Sequence, residues 1–189
     1  LERPLRVGVI EKSPIESVVA PEAKAALRKA VHFLEEIGCE VEPIGWPVDG
    51  VEVMKNYYLM NSVETAAMMQ GLEASLGRAL TKDDMELMTW GIYQSGQRIL
   101  AKDYSAALSK WDTYAHAMEK VHEEFDLILT PTVSDVAPLQ TQFPMEKSVR
   151  QALNQIEELS VPEQQSVIWR MFDRTLALTP FTQLSNITG

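Results

Sequence analysis

Leu5-Arg6-Val7-Gly8-Val9-Ile10, then Pro21 to Gly38, then Glu40-Val41-Glu42-Pro43-Ile44: this succession decides the fold. The first run is short, apolar and β-branched, so it reads as a strand that Pro14 closes. Pro21 stands where a helix accepts its first residue, with Glu22 beside it at the positive end of the helix dipole. Ala23, Ala26, Leu27, Ala30, Val31, Leu34 and Ile37 recur at helical spacing. Gly38 follows as a left-handed cap. The run from Glu40 to Ile44 is a second short strand. Strand, helix and strand joined by short connections make a βαβ unit, so the two strands are expected to pair parallel with helices against the sheet.

Outward from this unit the chain turns helical. Residues 51–71 hold Met54, Tyr57, Tyr58, Met60, Val63, Ala66, Ala67 and Met68 without a proline. Thr81-Lys82-Asp83-Asp84 is a capping box before another helix, which carries Met85, Leu87, Met88, Ile92, Tyr93, Ile99 and Leu100. Gly91 and Gly96 are weak points or close contacts within it. Tyr104, Leu108, Trp111, Ala115, Met118, His122 and Phe125 alternate steps of four and three, which predicts one continuous helix face. Leu127-Ile128-Leu129 suits a buried strand, and Pro131 stops its ladder. Residues 134–144 read as a loop. Ser160-Val161-Pro162-Glu163 starts a last helix through Val167, Ile168, Met171, Phe172, Thr175 and Leu176. The expected organisation is 1–46 as the βαβ unit, 51–125 as a helical cap and 126–189 as strand, loop and helix.

Composition narrows the function classes. The 189 residues are 46% hydrophobic and 23% charged, as in ordinary globular chains that bury a core. A net charge of −10 opposes a nucleic-acid partner and an anionic membrane surface, both of which call for basic residues. No apolar run approaches the roughly 20 residues of a spanning helix. One cysteine, Cys39, cannot form an internal disulfide, which fits a reducing, cytoplasmic compartment. Leu1 is not an initiator methionine, and Gly189 ends an ordered-looking run, so both ends read as cuts from a larger protein.

A search for self-sufficient chemistry comes back short. Ser95-Gly96 lacks the preceding glycine of a nucleophile elbow, and there is no phosphate-binding glycine loop. His116, Glu119 and His122 resemble fragments of a helical metal site, but the two histidines point to different faces, so no metal or other cofactor is expected. Glu119, Glu123, Glu124 and Asp126 read as a solvated helix end. Asn186-Ile187-Thr188 matches a glycosylation sequon by composition alone. Met68, Met69 and Trp90 either line an apolar pocket or simply pack the core.

Three stretches carry a resemblance. Pro4 to Val9 with Val19 to Glu22, Phe125 to Thr132, and Pro180-Phe181-Thr182 with Asn186, Thr188 and Gly189 resemble, in order and spacing, the C-terminal half of amidase-signature hydrolases. The likeness is strongest to bacterial amidases of the 6-aminohexanoate-cyclic-dimer hydrolase type. It implies an α/β fold, part of a mixed sheet flanked by helices and helix-rich in this segment. It also implies hydrolysis of carbon–nitrogen amide bonds by a serine, a second serine in a cis peptide and a lysine, which lie upstream of Leu1. Lys12 beside Ser13 does not replace them, because the glycine- and serine-rich surroundings are missing. A desolvated lysine can lose its charge and relay a proton through the second serine.

On the same resemblance, Met68, Met69, Gln70, Trp90 and Thr132 are the substrate-side candidates, with a small-molecule amide as partner. Asp126 and Pro131 mark strand entry and exit, and Asn186 and Gly189 support a turn toward a further strand. An uncovered sheet edge would favour self-association. Two other readings stay open: a non-catalytic α/β binding or scaffold module, and part of a glutamyl-tRNA amidotransferase A-type subunit.

Overall fold

The computed structural model describes residues 3–188. The order is β1 (Arg6–Val9), α1 (Pro21–Glu36), β2 (Glu40–Pro43), α2 (Gly50–Leu76), α3 (Leu87–Gly96), α4 (Ala101–His122), β3 (Leu127–Leu129), α5 (Lys147–Asn154), α6 (Val161–Leu178) and α7 (Gln183–Thr188). The strands form one sheet in the order β2-β1-β3. Both pairings are parallel, with Val7 opposite Val41 on one side and opposite Leu127 on the other. This is an α/β arrangement, rich in helix.

The chain divides into two compact units, each described separately. The sheet unit holds the described residues of Leu1–Val53, Trp111–Gln142 and Thr175–Gly189; the helical unit holds Met54–Lys110 and Phe143–Arg174.

In the sheet unit β1 is central, so Val7 and Ile10 are almost fully buried. Gly8 has no side chain because Ile44 lies there: a Cβ would stand 2.5 Å from the Ile44 Cδ1. Gly38 follows α1 with φ +90°, the left-handed position expected of the cap. Asp126 ties β3 to β1. Its amide donates to the Arg6 carbonyl (2.9 Å), and its carboxylate accepts from the Arg6 amide (2.8 Å). Arg3 closes a bidentate ion pair on the same carboxylate at 2.6 and 2.7 Å. The strand-entry role read for Asp126 is therefore a clamp across two strands.

In the helical unit, Ala66, Leu80, Trp90, Tyr93, Val149, Leu153, Ile156 and Val167 form one apolar cluster. Leu153 and Ile156 are completely buried. Gly91 makes room for Leu153: a Cβ there would meet the Leu153 Cδ2 at 2.4 Å.

Several local expectations are corrected. The Thr81 capping box forms, with the Thr81 amide donating to Asp84 at 2.8 Å, but it opens only a 3-10 turn over Lys82–Asp84. The helix expected to run on to Leu100 breaks after Gly96, and α4 starts at Ala101. On α4 the expected face is only partly inward: Ala107 and Tyr114 are buried, Tyr104, Trp111, Ala115 and Met118 are half-buried, and Leu108 is 48% exposed. Helix α5 falls between the loop read at 134–144 and the helix start at Ser160, where no element was expected, although Val149, Leu153 and Ile156 have helical spacing and are buried. Asn186 is not in a turn: it lies within α7, which buries Leu184 and Ile187 one turn apart. Gly189 lies outside the described residues. The Ser160 start of α6 forms as read, with Glu163 accepting from the Ser160 amide at 2.8 Å.

Candidate functional site

Ligands of open parallel sheets gather beyond the carboxyl ends of the strands. In the sheet unit that end is built from residues 10–20 after β1, 44–49 after β2 and 130–134 after β3. The Trp46 indole N–H donates to the Lys12 carbonyl at 2.6 Å, and its ring lies 6.2 Å from that of Phe181. Two clefts flank Trp46. One, of about 450 Å³, runs along α1 past Leu27, Arg28 and His32. The other, of about 230 Å³, includes Met118, His122, Thr130 and Leu184.

The loops are fastened to the last turn of α6, whose final carbonyls have no partner within the helix. Ser134 supplies them. Its amide donates to the Leu178 carbonyl (2.8 Å) and its hydroxyl to the Ala177 carbonyl (2.6 Å). The Ala20 amide in turn donates to the Ser134 carbonyl at 2.7 Å. Ser13 and Ser17 share a hydroxyl–hydroxyl bond of 2.7 Å. Between them Glu16 takes a left-handed backbone, φ 59°, which costs a non-glycine residue on the order of 1 kcal/mol.

Two titrating groups in this unit are shifted by their surroundings. The Arg3 guanidinium, followed by the bond from the Arg6 amide, pulls the Asp126 carboxyl down to about 2. Burial, followed by the Glu52 and Asp49 carboxylates, pushes the Tyr114 phenol up to about 12.

The buried serines are engaged in holding backbone and loops. Ser62 donates to the Tyr58 carbonyl, Ser95 accepts from the Gln165 amide, Ser134 caps α6 and Ser13 meets Ser17. His116 contacts Glu119 at 3.0 Å, and His122 meets the Phe125 carbonyl at 3.1 Å. Among the described residues no group of three or more His, Cys, Asp or Glu side chains is arranged to hold a metal ion. No described helix is long and apolar enough to cross a membrane.

The five sequence-derived candidates are distributed as follows. Met68, Met69 and Gln70 succeed one another on α2, so they point in three directions. Met68 is 62% exposed and Gln70 is also exposed, whereas Met69 packs on the apolar cluster of the helical unit. Trp90 lies inside that cluster, 5% exposed, edge-on to Tyr93 at 5.8 Å. Its indole nitrogen is buried without a hydrogen-bond partner among the described residues. Thr132 belongs to the sheet unit and is exposed along a cleft of about 410 Å³ beside Ala23, Pro131 and Val136. Trp46 was not among the candidates; its place just after β2 was the available signal.

The Amidase family profile matches residues 1–165. The chain belongs to the amidase family. Among curated proteins it is 33% identical over 184 residues to a lipoamidase of Enterococcus faecalis, covering 97% of this chain and 25% of that protein. It is 28% identical over 138 residues to a 6-aminohexanoate-cyclic-dimer hydrolase of Pseudomonas sp. (strain NK87), covering 71% of this chain and 28% of that one. This amidase chain thus spans about a quarter of the length of these relatives. Its fold is similar to a solved 6-aminohexanoate cyclic dimer hydrolase in complex with substrate, with a TM-score of 0.75 at 24% identity, over all of this chain and 37% of that one. A bacterial aryl acylamidase of the amidase signature family superimposes with a TM-score of 0.63 at 19% identity, over 98% of this chain and 46% of the other.

Proposed function

We propose that this chain forms the sheet and helical wall of an enzyme that hydrolyses carbon–nitrogen amide bonds. On this reading the serine–serine–lysine set is contributed by polypeptide outside these 189 residues. The observation that carries the reading is the pairing of family membership with the state of the buried serines. Ser13, Ser62, Ser95 and Ser134 are buried and bond to another hydroxyl, a backbone carbonyl, an amide and a backbone carbonyl in turn, and none of these bonds is to a lysine or histidine that could take the hydroxyl proton. The substrate is a small-molecule amide, with the relatives' names pointing to lipoamides and cyclic 6-aminohexanoate amides as first probes.

Within this reading Met69 and Trp90 set the shape of the helical wall from inside its core, Met68 and Gln70 are candidates on the surface of the helical unit, and Thr132 is a candidate at its cleft in the sheet unit. The single thiol, Cys39, suits a cytoplasmic setting. Strands β2 and β3 bound the described sheet, and their outer edges favour pairing with further strands or a second copy. A sharp monomer boundary in concentrated sedimentation runs would refute self-association.

The test is a release assay on a lipoamide and on 6-aminohexanoate cyclic dimer, run with this chain and with a longer amidase polypeptide that contains it. The chain alone should give no turnover above buffer, and the longer polypeptide should turn over at least one probe. Turnover by the chain alone sinks the assignment of the nucleophile elsewhere. An inert longer polypeptide sinks amide hydrolysis.

A further inference from the structure

The helical unit carries a cleft of about 340 Å³ between α2 and α6. That volume lies in the range of small-molecule clefts, about 300–1,000 Å³. Lys55, Tyr58 and Leu59 line it from α2, and Gln165, Ser166 and Trp169 from α6. The spacing explains why. Residues 55, 58 and 59 share one side of α2, and residues 165, 166 and 169 share one side of α6.

The floor is aromatic and rigid. Tyr58 stacks on Phe172 with centroids 4.7 Å apart and planes 13° from parallel. Trp169 meets the same Tyr58 edge-on at 6.2 Å. Tyr58 is buried, and burial drives its phenol well above the ordinary range, so the phenol stays uncharged at any physiological pH.

One charge distinguishes this floor from a plain apolar groove. The Lys55 ammonium lies 5.3 Å from the centre of the Trp169 ring. An aromatic face usually attracts cations. Here that face already holds one, so a second cation would meet like charge. An anion would meet the ammonium directly, and a hydrocarbon body beside it would cover Leu59 and the two rings. One polar group can assist at the lip: Ser166 is exposed and its hydroxyl can donate, whereas Gln165 donates its amide N–H to Ser95 (2.7 Å). Asp173, whose charge is felt by Tyr58, sits one turn beyond Trp169 and is exposed to solvent, where water screens it.

We propose that the α2–α6 cleft binds an amphipathic monocarboxylate, its carboxylate on the Lys55 ammonium and its hydrocarbon chain against Leu59, Tyr58 and Trp169. The proposal is one of binding, and its test reads binding rather than turnover.

The experiment titrates the 189-residue chain with sodium octanoate, 1-octanol and octylamine, and follows tryptophan fluorescence. Octanoate should bind saturably, more tightly than octanol, and octylamine should bind most weakly. Lys55 is exposed, so Lys55→Gln is expected to leave the fold intact. It should weaken octanoate by about tenfold or more, the scale of one charge-assisted bond, while leaving octanol unchanged. Trp169→Phe should remove the fluorescence change, with calorimetry still reporting octanoate binding. Absence of saturable octanoate binding overturns the proposal. So does equal affinity in Lys55→Gln, or a preference for octylamine. A fluorescence change that survives Trp169→Phe places the ligand elsewhere and also overturns it.

Discussion

Gly96 of α3 lies directly against the Ser62 carbonyl of α2: a Cβ on Gly96 would stand 1.8 Å from that oxygen and 2.4 Å from its carbon. The obstacle is backbone, which cannot swing aside as a side chain can. Ser62 is itself fully buried, and its hydroxyl is bound to the Tyr58 carbonyl at 2.7 Å. Gly96 therefore sets how closely the two helices approach.

Gly96→Ala should cost about 3 kcal/mol or more, at the upper end of overpacking penalties. Gly71→Ala is the matched control. Gly71 lies within α2, is exposed, and a Cβ there would meet nothing within 4 Å. It should stabilise by about 0.5–1 kcal/mol through helix propensity alone. Urea unfolding of the two variants reads both signs. Equal effects would mean that the α2–α3 contact is looser than described.

The Asp126 clamp predicts a pH dependence with a definite direction. The Asp126 carboxyl is depressed to about 2 in the folded chain from an ordinary 3.8. A group whose folded value is lowered stabilises the fold above its unfolded value, and that stabilisation is lost as pH falls through the folded one. Wild type should therefore lose thermal stability relative to Asp126→Asn between about pH 4 and about pH 2. At pH 6, Asp126→Asn should melt below wild type, because it breaks the ion pair with Arg3 while an amide oxygen can still accept from the Arg6 N–H. Asp126→Ala should melt lower still, having lost both bonds. A constant gap between wild type and Asp126→Asn across the acid range would remove the ion pair from the account.

These two contacts show what can be read in the sequence. Asp126 follows a helix and precedes a three-residue apolar strand, so its place at strand entry is visible. Its bond to Arg3 is not, because the two lie 123 positions apart. Gly96 is visible as an oddity inside an apolar helical pattern, but whether it is a weak point or a contact depends on Ser62, which no local pattern names. The parallel βαβ unit was legible because each element carries its own periodicity and stop signal. Helix α5 was missed because its apolar positions, Val149, Ala152 and Leu153, are few and follow a long proline-bearing loop. The face on α4 was only partly legible, because Leu108 outweighs Ala107 in hydrophobicity yet is the exposed one of the two. The cleft at Lys55 and Trp169 was illegible for a different reason: its lining residues come from two helices and lie more than a hundred positions apart in the chain, and only packing brings an ammonium over an indole.

The pairing of Gly91 with Leu153 gives a test of the helical core that does not depend on any single substitution. Leu153 is fully buried, and its Cδ2 occupies the space a Gly91 Cβ would need. Leu153→Ala alone should cost about 2–5 kcal/mol, since it removes buried methyls and leaves a cavity. Gly91→Ala alone should cost about 1–3 kcal/mol, offset partly by the helix propensity of alanine. In the double variant the new methyl enters the space vacated by the leucine, so the two penalties cannot add. The expected coupling is about 1 kcal/mol or more in the favourable direction, within the range found for residues in contact. Denaturant unfolding of all four proteins closes the cycle. Strict additivity would show that Leu153 moves away from Gly91 without cost, which the complete burial of Leu153 between α3 and the 3-10 turn at Ile156–Glu158 argues against.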